Sequence, residues 1–160
     1  MRYHDITKDD MRNGPGLRAV LWVSGCSHHC PGCQNPLTWD PDDGLIYDEA
    51  ADMELMELLG RDYISGLTLS GGDPLYPDNR DEITALCKRV RERFPDKTIW
   101  LYTGYGYDEI KGLEIMKYID VVVDGRYMED LMDVLLHWRG SSNQKVIDVK
   151  KGTVIHDTDT

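Results

Sequence analysis

The sequence predicts an α/β fold built around a mainly parallel sheet. Strand-like and helix-like segments alternate along the chain, which is typical of βαβ units. The run VVV at 121–123 is continuously apolar, which suits a strand in a sheet covered on both faces. Ligands of such folds gather at the carboxyl ends of the strands. Four residues lie just past the ends of predicted strands, and we expect them to converge on one face: Cys26, Gly71, Gly104 and Gly125.

The first half of the chain predicts two strands and two helices. Residues 18–24 are β-branched and apolar and follow the turn-rich NGPG at 13–16, which indicates a strand. Apolar residues among acidic ones predict a helix over 48–59 that stops at Gly60. Residues 66–70 form a short strand that leads into a glycine-rich turn. Residues 80–94 then place apolar side chains at helical spacing.

The second half continues the alternation. A strand is predicted at 98–103, a helix at 108–116 and a strand at 119–124. The last third is less patterned, and we expect a short helix near 128–136 and a strand at 145–149. We therefore expect one domain over residues 1–150, followed by a polar, flexible tail over 151–160.

Composition narrows the function classes. The chain has 160 residues, is 41% hydrophobic and 29% charged, and carries a formal net charge of −11. That charge argues against nucleic acid and anionic membranes as partners, because phosphates are bound through Lys and Arg. The apolar runs are too short to span a bilayer, and the amino terminus lacks an apolar signal region. We therefore expect a cytoplasmic protein.

The stretch SGCSHHCPGCQN at 24–35 places three cysteines, Cys26, Cys30 and Cys33, within eight positions. A disulfide is disfavoured, because the expected compartment is reducing and three thiols leave one unpaired. A closed zinc site would need His28 or His29 as the fourth ligand, yet structural zinc ligands usually come in two separated pairs. An iron–sulphur cluster is ordinarily held by four cysteines.

The remaining cysteine, Cys87, lies on the apolar face of a predicted helix, so we interpret it as part of the core. A four-iron cluster with three protein ligands would keep one iron open, and an open metal position usually signals chemistry. We interpret His28 and His29 as solvated groups, or groups behind the ligands, and not as ligands.

Cys-x3-Cys-x2-Cys in the loop after the first strand resembles the signature of the radical S-adenosylmethionine enzymes. The ordered motifs NGPG-x-R, CPGCQN, LSGGDPLYP, IWLYTGY, VVVDGRY and WRGSSNQ are similar to those of glycyl-radical activases. This resemblance covers roughly residues 1–144. It implies that residues 1–150 fold as a partial, open (β/α) barrel of the radical S-adenosylmethionine type.

The resemblance also implies the roles of particular residues. Cys26, Cys30 and Cys33 would ligate three irons of a [4Fe-4S] cluster, and S-adenosylmethionine would occupy the open iron. The residues expected to contact that cofactor are Gly32, Cys33 and Gln34 on the adenine side, Gly71, Gly72 and Asp73 at the methionine end, and Thr103 and Asp124 near its carboxylate or ribose. Capping of strand ends is an equally good account of the last two. Gln34 departs from the family, which usually has an aromatic residue there.

The implied reaction is reductive cleavage of S-adenosylmethionine, followed by hydrogen abstraction from a glycine of a partner enzyme. The implied partner is the glycyl-radical subunit of the anaerobic ribonucleoside-triphosphate reductase, because activases of other glycyl-radical enzymes usually carry extra cysteine clusters. The implied electron source is a low-potential donor such as reduced flavodoxin. We expect Trp138 and Arg139 to form an exposed anchor for a partner protein.

Overall fold

The computed structural model describes residues 1–33 and 36–156 of the chain. The strands, in chain order, are β1 (Arg2–Asp10), β2 (Leu17–Val23), β3 (Leu45–Ile46), β4 (Ile64–Gly71), β5 (Thr98–Tyr102), β6 (Val121–Asp124), β7 (Lys145–Asp148) and β8 (Thr153–Val154). The α-helices are α1 (Glu49–Leu59), α2 (Arg80–Arg93) and α3 (Tyr107–Ile110). Short 3-10 turns lie at Pro36–Thr38, Pro77–Asn79, Glu114–Lys117 and Glu129–Leu131.

The strands form one sheet with the order β3-β1-β2-β4-β5-β6-β7-β8. The four central strands, β2, β4, β5 and β6, run parallel to one another. The flanking strands pair antiparallel. Within the described ranges the sheet stays open, with β3 and β8 as its edges. The predicted α/β class and the parallel centre are therefore confirmed.

The two long helices cover one face of the sheet and form the main core with it. α1 buries Leu55 and Leu59, and α2 buries Ile83 and Leu86. The helix α1 begins at Asp48, whose side chain accepts a hydrogen bond from the backbone N–H of Ala51 at 2.9 Å, as an N-cap should. Burial of a Leu or Ile side chain contributes about 1.5–3 kcal/mol, so this face supplies much of the stability.

The opposite face carries a smaller apolar cluster. It consists of Trp100, Val121, Val123 and Val146, against which Tyr102, Trp138 and Ile155 pack. No long helix covers this face among the described residues; loops and the end of the described chain lie there instead.

Arg18 is fully buried near the amino ends of the parallel strands. Its guanidinium donates to the hydroxyls of Thr68 and Thr98 and to the carbonyls of Leu67, Thr98 and Pro15, at 2.9–3.3 Å. A Cβ on Gly14, where φ is +117°, would lie 2.8 Å from Arg18 Cδ. The NGPG-x-R segment therefore packs around a buried arginine that joins β2, β4 and β5.

Several elements differ from the sequence prediction. The nine-residue strand β1 was not predicted, because its RYHDITKDD sequence is rich in charge and most of its side chains are partly or fully exposed. Pairing with β2 on one side and β3 on the other makes it a strand in spite of its composition. Tertiary pairing here overrides local propensity.

Two predicted helices are wrong in extent. In place of a helix over 108–116, α3 ends at Ile110 and a separate 3-10 turn begins at Glu114, with Leu113 extended between them (φ −70°, ψ 146°). In place of a helix near 128–136, the chain makes a single 3-10 turn and becomes extended at Met132 (ψ 136°).

The carboxyl-terminal segment starts in the sheet, because Thr153 and Val154 pair with β7 as β8. Residues 157–160 of the expected tail lie outside the described residues. No described helix has both the length and the apolar character needed to cross a bilayer.

Candidate functional site

The loops that follow the central strands meet at one edge of the sheet. The backbone N–H of Gly72 donates to the carbonyl of Val23 at 2.8 Å, and that of Asp73 donates to Gly25 at 2.7 Å. These bonds fasten the loop after β4 to the start of the cysteine loop, residues 25–33. Gly25 and Cys26 in turn donate to the carbonyls of Thr38 and Trp39, at 2.7 and 3.0 Å. The predicted convergence of strand-end features is confirmed for these loops.

The three clustered cysteines all lie on the cysteine loop. Cys26 and Cys30 are each 9% exposed, and Cys33 is half-buried. Burial raises the pKa of the Cys26 thiol, while hydrogen bonds from the backbone N–H groups of His28 and His29 act to lower it. The loop thus provides three thiols in a sheltered position, one of which already receives backbone N–H donors.

This donor set fits an iron–sulphur cluster. Such clusters are held by cysteine thiolates, and hydrogen bonds to sulphur and limited solvent exposure tune them. Cys26, Cys30 and Cys33 are the residues that would hold the cluster. Across residues 1–33 and 36–156, no group of three or more His, Cys, Asp or Glu side chains is arranged to hold a single metal ion.

The fourth cysteine lies away from this loop. Cys87 is fully buried in α2 within the main core. Burial raises the pKa of its thiol to about 12. The prediction that Cys87 is a core residue is confirmed.

Asp73 joins three loops of the site. Its side chain is 1% exposed. Thr103 Oγ1 lies 2.9 and 3.0 Å from its two carboxylate oxygens, and the backbone N–H groups of Gly104 and Leu75 each donate to it over 2.9 Å. These bonds compensate the buried negative charge, which would otherwise be costly. The carboxylate expected at the methionine end is thus engaged with the protein itself.

The two histidines of the cysteine loop have different environments. The His28 side chain is 5% exposed, and its Nε2 lies 2.7 Å from Asp73 Oδ2. The interpretation of His28 as a solvated group is therefore wrong, although its place behind the cysteines agrees with the second interpretation. His29 is exposed, and its ring stacks on Trp39 with centroids 4.6 Å apart. Sequence reasoning could not distinguish them, because the partner of His28 lies 45 positions away along the chain.

The predicted glycines allow backbones to approach closely. Gly71 has φ +106°, and a Cβ there would lie 2.5 Å from backbone atoms of Val23. A Cβ on Gly72 would lie 2.5 Å from the carbonyl oxygens of Gly25 and Thr38. Gly71 therefore allows the end of β4 to lie close to β2, and Gly72 allows the loop after β4 to lie close to the cysteine loop.

Thr103 and Asp124 both make internal hydrogen bonds. Thr103 bonds Asp73, as described above. Asp124 accepts from the backbone N–H of Tyr107 at 2.8 Å and from that of Lys145 at 3.0 Å. Asp124 thus caps the start of α3 and fastens β7, which is the capping role left open by the sequence.

Gly32 borders a different part of the molecule. Its φ is +73°, and a Cβ there would lie 2.8 Å from Glu129 Cδ. The Glu129 side chain therefore rests against the backbone of the cysteine loop, a contact that sequence reasoning did not identify. Gln34, the expected neighbour of the adenine, lies outside the described residues.

Trp138 is not an exposed anchor. Its ring packs edge-on against Trp100 with centroids 5.7 Å apart. Arg139 donates to the carbonyl of Gln144 at 2.7 Å. The pair fastens the loop after β6 to the sheet, and the prediction of an exposed Trp–Arg anchor is wrong.

The chain is similar to curated protein sequences along nearly all of its length. Residues 12–147 match the family described as 4Fe-4S single cluster domain. The chain is 48% identical over 157 residues to the anaerobic ribonucleoside-triphosphate reductase-activating protein of Enterobacteria phage T4, covering 98% of this chain and 100% of that protein. It is 44% identical over 150 residues to the protein of the same name from Escherichia coli (strain K12), covering 91% and 97%. The Vibrio cholerae protein of that name is 42% identical over 150 residues, covering 91% and 97%. The chain therefore belongs to the family of anaerobic ribonucleoside-triphosphate reductase-activating proteins and carries a 4Fe-4S single cluster domain.

Proposed function

We propose that this chain is a radical S-adenosylmethionine enzyme that activates the anaerobic ribonucleoside-triphosphate reductase by generating its glycyl radical. The observation that carries the proposal is the cysteine loop, which offers three cysteines within eight positions and no fourth cysteine nearby. The names of the relatives support the target enzyme. The open α/β sheet with a parallel centre is compatible with a partial (β/α) barrel of the radical S-adenosylmethionine type.

In the proposed arrangement, Cys26, Cys30 and Cys33 would hold a [4Fe-4S] cluster, and S-adenosylmethionine would bind beside it. The reduced cluster would supply one electron for cleavage of S-adenosylmethionine into methionine and a 5′-deoxyadenosyl radical, and that radical would take a hydrogen atom from a backbone glycine of the reductase. The electron comes from a low-potential donor such as reduced flavodoxin. We place the reaction in the cytoplasm, because the thiols must stay reduced to bind iron.

The chain's own residues orient the two groups. Gly71 lies close to the end of β2 and Gly72 lies close to the cysteine loop, so the backbone of both would border the methionine end of the cofactor. Gly32, Cys33 and Gln34 would border the adenine. Asp73, Thr103 and Asp124 would complete the proposed binding site at the ends of β4, β5 and β6. Their internal hydrogen bonds keep these strand ends in place before any cofactor arrives.

An exposed apolar surface next to the cysteine loop supports a protein partner. Residues 128–135, here called the apolar segment, follow β6 and begin beside Gly32 through the Glu129 contact. The exposed apolar side chains of this segment are Met128 (46%), Leu131 (39%), Met132 (54%), Val134 (85%) and Leu135 (83%). Exposed clusters of this kind commonly mark interaction sites.

The backbone of the apolar segment is held by hydrogen bonds. Met132 pairs with Ser141 as an isolated bridge, and the N–H of Ser142 donates to the carbonyl of Leu131 at 2.9 Å. Glu129, Asp130 and Asp133 lie among the apolar residues. We therefore propose that the reductase docks here with an apolar patch that has basic residues at its rim, which brings its glycine close to the cluster.

The experiment that tests this function mixes the two proteins. The chain is loaded anaerobically with iron and sulphide, reduced, and combined with S-adenosylmethionine and the reductase. We expect a doublet glycyl-radical signal by electron paramagnetic resonance, together with formation of methionine and 5′-deoxyadenosine. A cluster-loaded chain that cleaves S-adenosylmethionine without producing a radical on the reductase would contradict the proposed target. Tight binding of one zinc ion, with no cluster formed, would contradict the proposed chemistry.

A further inference from the structure

We propose that His28 is a positioning residue that fixes the cysteine loop to the carboxyl ends of β4 and β5 through Asp73. This inference deepens the proposed function and rests on it. In this arrangement His28 is not a cluster ligand. Its side chain determines where the cysteines lie relative to the residues that border S-adenosylmethionine.

The bond between His28 and Asp73 is short and sheltered. The two side chains are 5% and 1% exposed, and His28 Nε2 lies 2.7 Å from Asp73 Oδ2. Because a carboxylate only accepts hydrogen bonds, His28 Nε2 carries the proton and donates it. Hydrogen bonds to an ionised acceptor in a buried site are the strong ones, so this contact restrains both partners.

Asp73 transmits this restraint to the loop after β5 and within its own loop after β4. Its remaining donors are Thr103 Oγ1, the Gly104 N–H after β5 and the Leu75 N–H after β4, each 2.9–3.0 Å away. His28 adds the cysteine loop to this set. Through one carboxylate, three separate segments that the proposed reaction needs are held in fixed relation.

The space for the His28 ring is shaped by its neighbours. A Cβ on Gly104 would lie 2.5 Å from His28 Cδ2 and 2.8 Å from Nε2, so the missing side chain at this position admits the ring. Tyr105 packs edge-on against the ring, with centroids 4.6 Å apart. Glycine at position 104 thus leaves room for the His28 ring. Gly104 and Tyr105 confine the ring on two sides, and Asp73 holds it by a hydrogen bond.

The backbone of His28 acts on the first cysteine. Its N–H donates to the Cys26 thiol, while its side chain is anchored on Asp73. Loss of the anchor would therefore move both the N–H donor and the cysteine loop relative to Gly71 and Gly72. Groups behind metal ligands commonly change metal affinity or activity by about 10–100-fold when they are removed.

The test compares three variants of the full chain. His28→Gln keeps an N–H donor near the position of Nε2, and His28→Leu removes the donor while filling the space. His29→Asn is the matched control, since it removes the neighbouring imidazole and Asn tolerates the positive φ of 46° found there.

The first readout uses the cluster-free chain. Hydrogen exchange of the Gly104 and Leu75 amides, which donate to Asp73, should become about tenfold faster in His28→Leu. The exchange should stay within about threefold of the native chain in His28→Gln and His29→Asn.

The second readout uses the cluster-loaded chain. Iron and sulphide contents should match the native chain in all three variants, because the cysteines are intact. The dissociation constant for S-adenosylmethionine should rise about tenfold or more in His28→Leu and return to within about threefold in His28→Gln. The reduced cluster's paramagnetic resonance spectrum should shift in His28→Leu alone.

Two results would overturn the inference. One is His28→Leu and His29→Asn behaving alike in exchange and affinity. The other is His28→Gln failing as badly as His28→Leu, because then the donor to Asp73 is not what matters. Either result can occur in a chain that still binds S-adenosylmethionine and activates the reductase, so the proposed function would survive. A native chain that binds no S-adenosylmethionine would instead defeat the proposed function.

Discussion

Two buried charged side chains lie at opposite ends of the parallel strands. Arg18, near the amino ends, donates to carbonyls and hydroxyls of β4, β5 and the preceding turn. Asp73, past the carboxyl ends, accepts from His28, Thr103 and two backbone N–H groups. Both are almost fully enclosed, at 0% and 1% exposure.

The difference lies in what each charge connects. Arg18 joins strand to strand, and burial lowers its pKa to about 10, which still leaves it protonated at neutral pH. Asp73 joins loop to loop around the cysteines. Both residues are buried charges with satisfied hydrogen bonds. Arg18 stabilises the sheet at one end of the strands, and Asp73 positions the loops of the site at the other end. Loss of the first should cost stability, and loss of the second should cost function.

The largest expected effect is at a proposed cluster ligand. Cys30→Ala should reduce activation of the reductase to background, because the cluster would lose one of its three proposed protein ligands. The free energy of unfolding of the cluster-free chain should change by about 1 kcal/mol or less, measured by urea denaturation. Unfolding of this variant would instead indicate a structural metal.

The control for that substitution is Cys87→Ala, which should keep the cluster and the activity. The native Cys87 thiol should also resist alkylation at pH 8. With a pKa of about 12, roughly one thiol in ten thousand is ionised there. Its reactivity should rise only as the chain unfolds. Loss of the cluster in Cys87→Ala would contradict its assignment to the core.

The next effect concerns the amino end. Arg18→Leu should lower the free energy of unfolding by about 3–5 kcal/mol, because the carbonyls of Leu67 and Thr98 lose their donors in the interior. Arg12→Leu, at an exposed position, should change it by about 0.5 kcal/mol or less. Equal urea midpoints for the two variants would contradict the proposed stabilising role of Arg18.

The carboxyl end should respond differently. Asp73→Asn replaces one accepting oxygen with a donor, which would oppose His28 Nε2–H and the Gly104 N–H at Oδ2 or the Leu75 N–H at Oδ1. We expect about tenfold weaker S-adenosylmethionine binding with the cluster retained. The free energy of unfolding should fall by about 1–3 kcal/mol, less than for Arg18→Leu. Asp78→Asn, at an exposed position after the same loop, is the control. If Asp73→Asn lost as much stability as Arg18→Leu and kept its affinity for S-adenosylmethionine, Asp73 would have a structural role like that of Arg18, and the proposed difference between the two residues would be contradicted.

The smallest expected effect lies on the apolar segment. Replacement of Val134 and Leu135 together by Ser should weaken binding of the reductase about tenfold, measured by titration calorimetry. Cluster content and S-adenosylmethionine affinity should stay unchanged, because both side chains are more than four-fifths exposed, at 85% and 83%. Val154→Ser removes an exposed apolar side chain from β8 and serves as the control. Equal reductase affinity in the two variants would contradict docking at the apolar segment.

The sequence predicted those features whose cause is local. The central strands follow from their apolar runs, and Cys87 follows from its place on an apolar helix face. The three clustered cysteines share a short loop, so their proximity could be read directly from the spacing.

The features that the sequence did not reveal depend on distant partners. The acceptors of Arg18 lie 49, 50 and 80 positions away, apart from the nearby Pro15 carbonyl. β1 is a strand because two neighbours pair with it, and its charged sequence conceals this. Trp138 was expected at the surface because nothing near it in sequence indicates that Trp100 packs against it. His28 and His29 differ only through a contact made after folding.

The most direct test of the central claim is the response of the reduced cluster to S-adenosylmethionine. The chain is loaded with iron and sulphide, reduced to the paramagnetic state, and examined by electron paramagnetic resonance before and after the cofactor is added. The account predicts a changed spectrum, because S-adenosylmethionine would bind the iron that has no cysteine. A fully loaded and reduced cluster whose spectrum stays the same at saturating S-adenosylmethionine would contradict it.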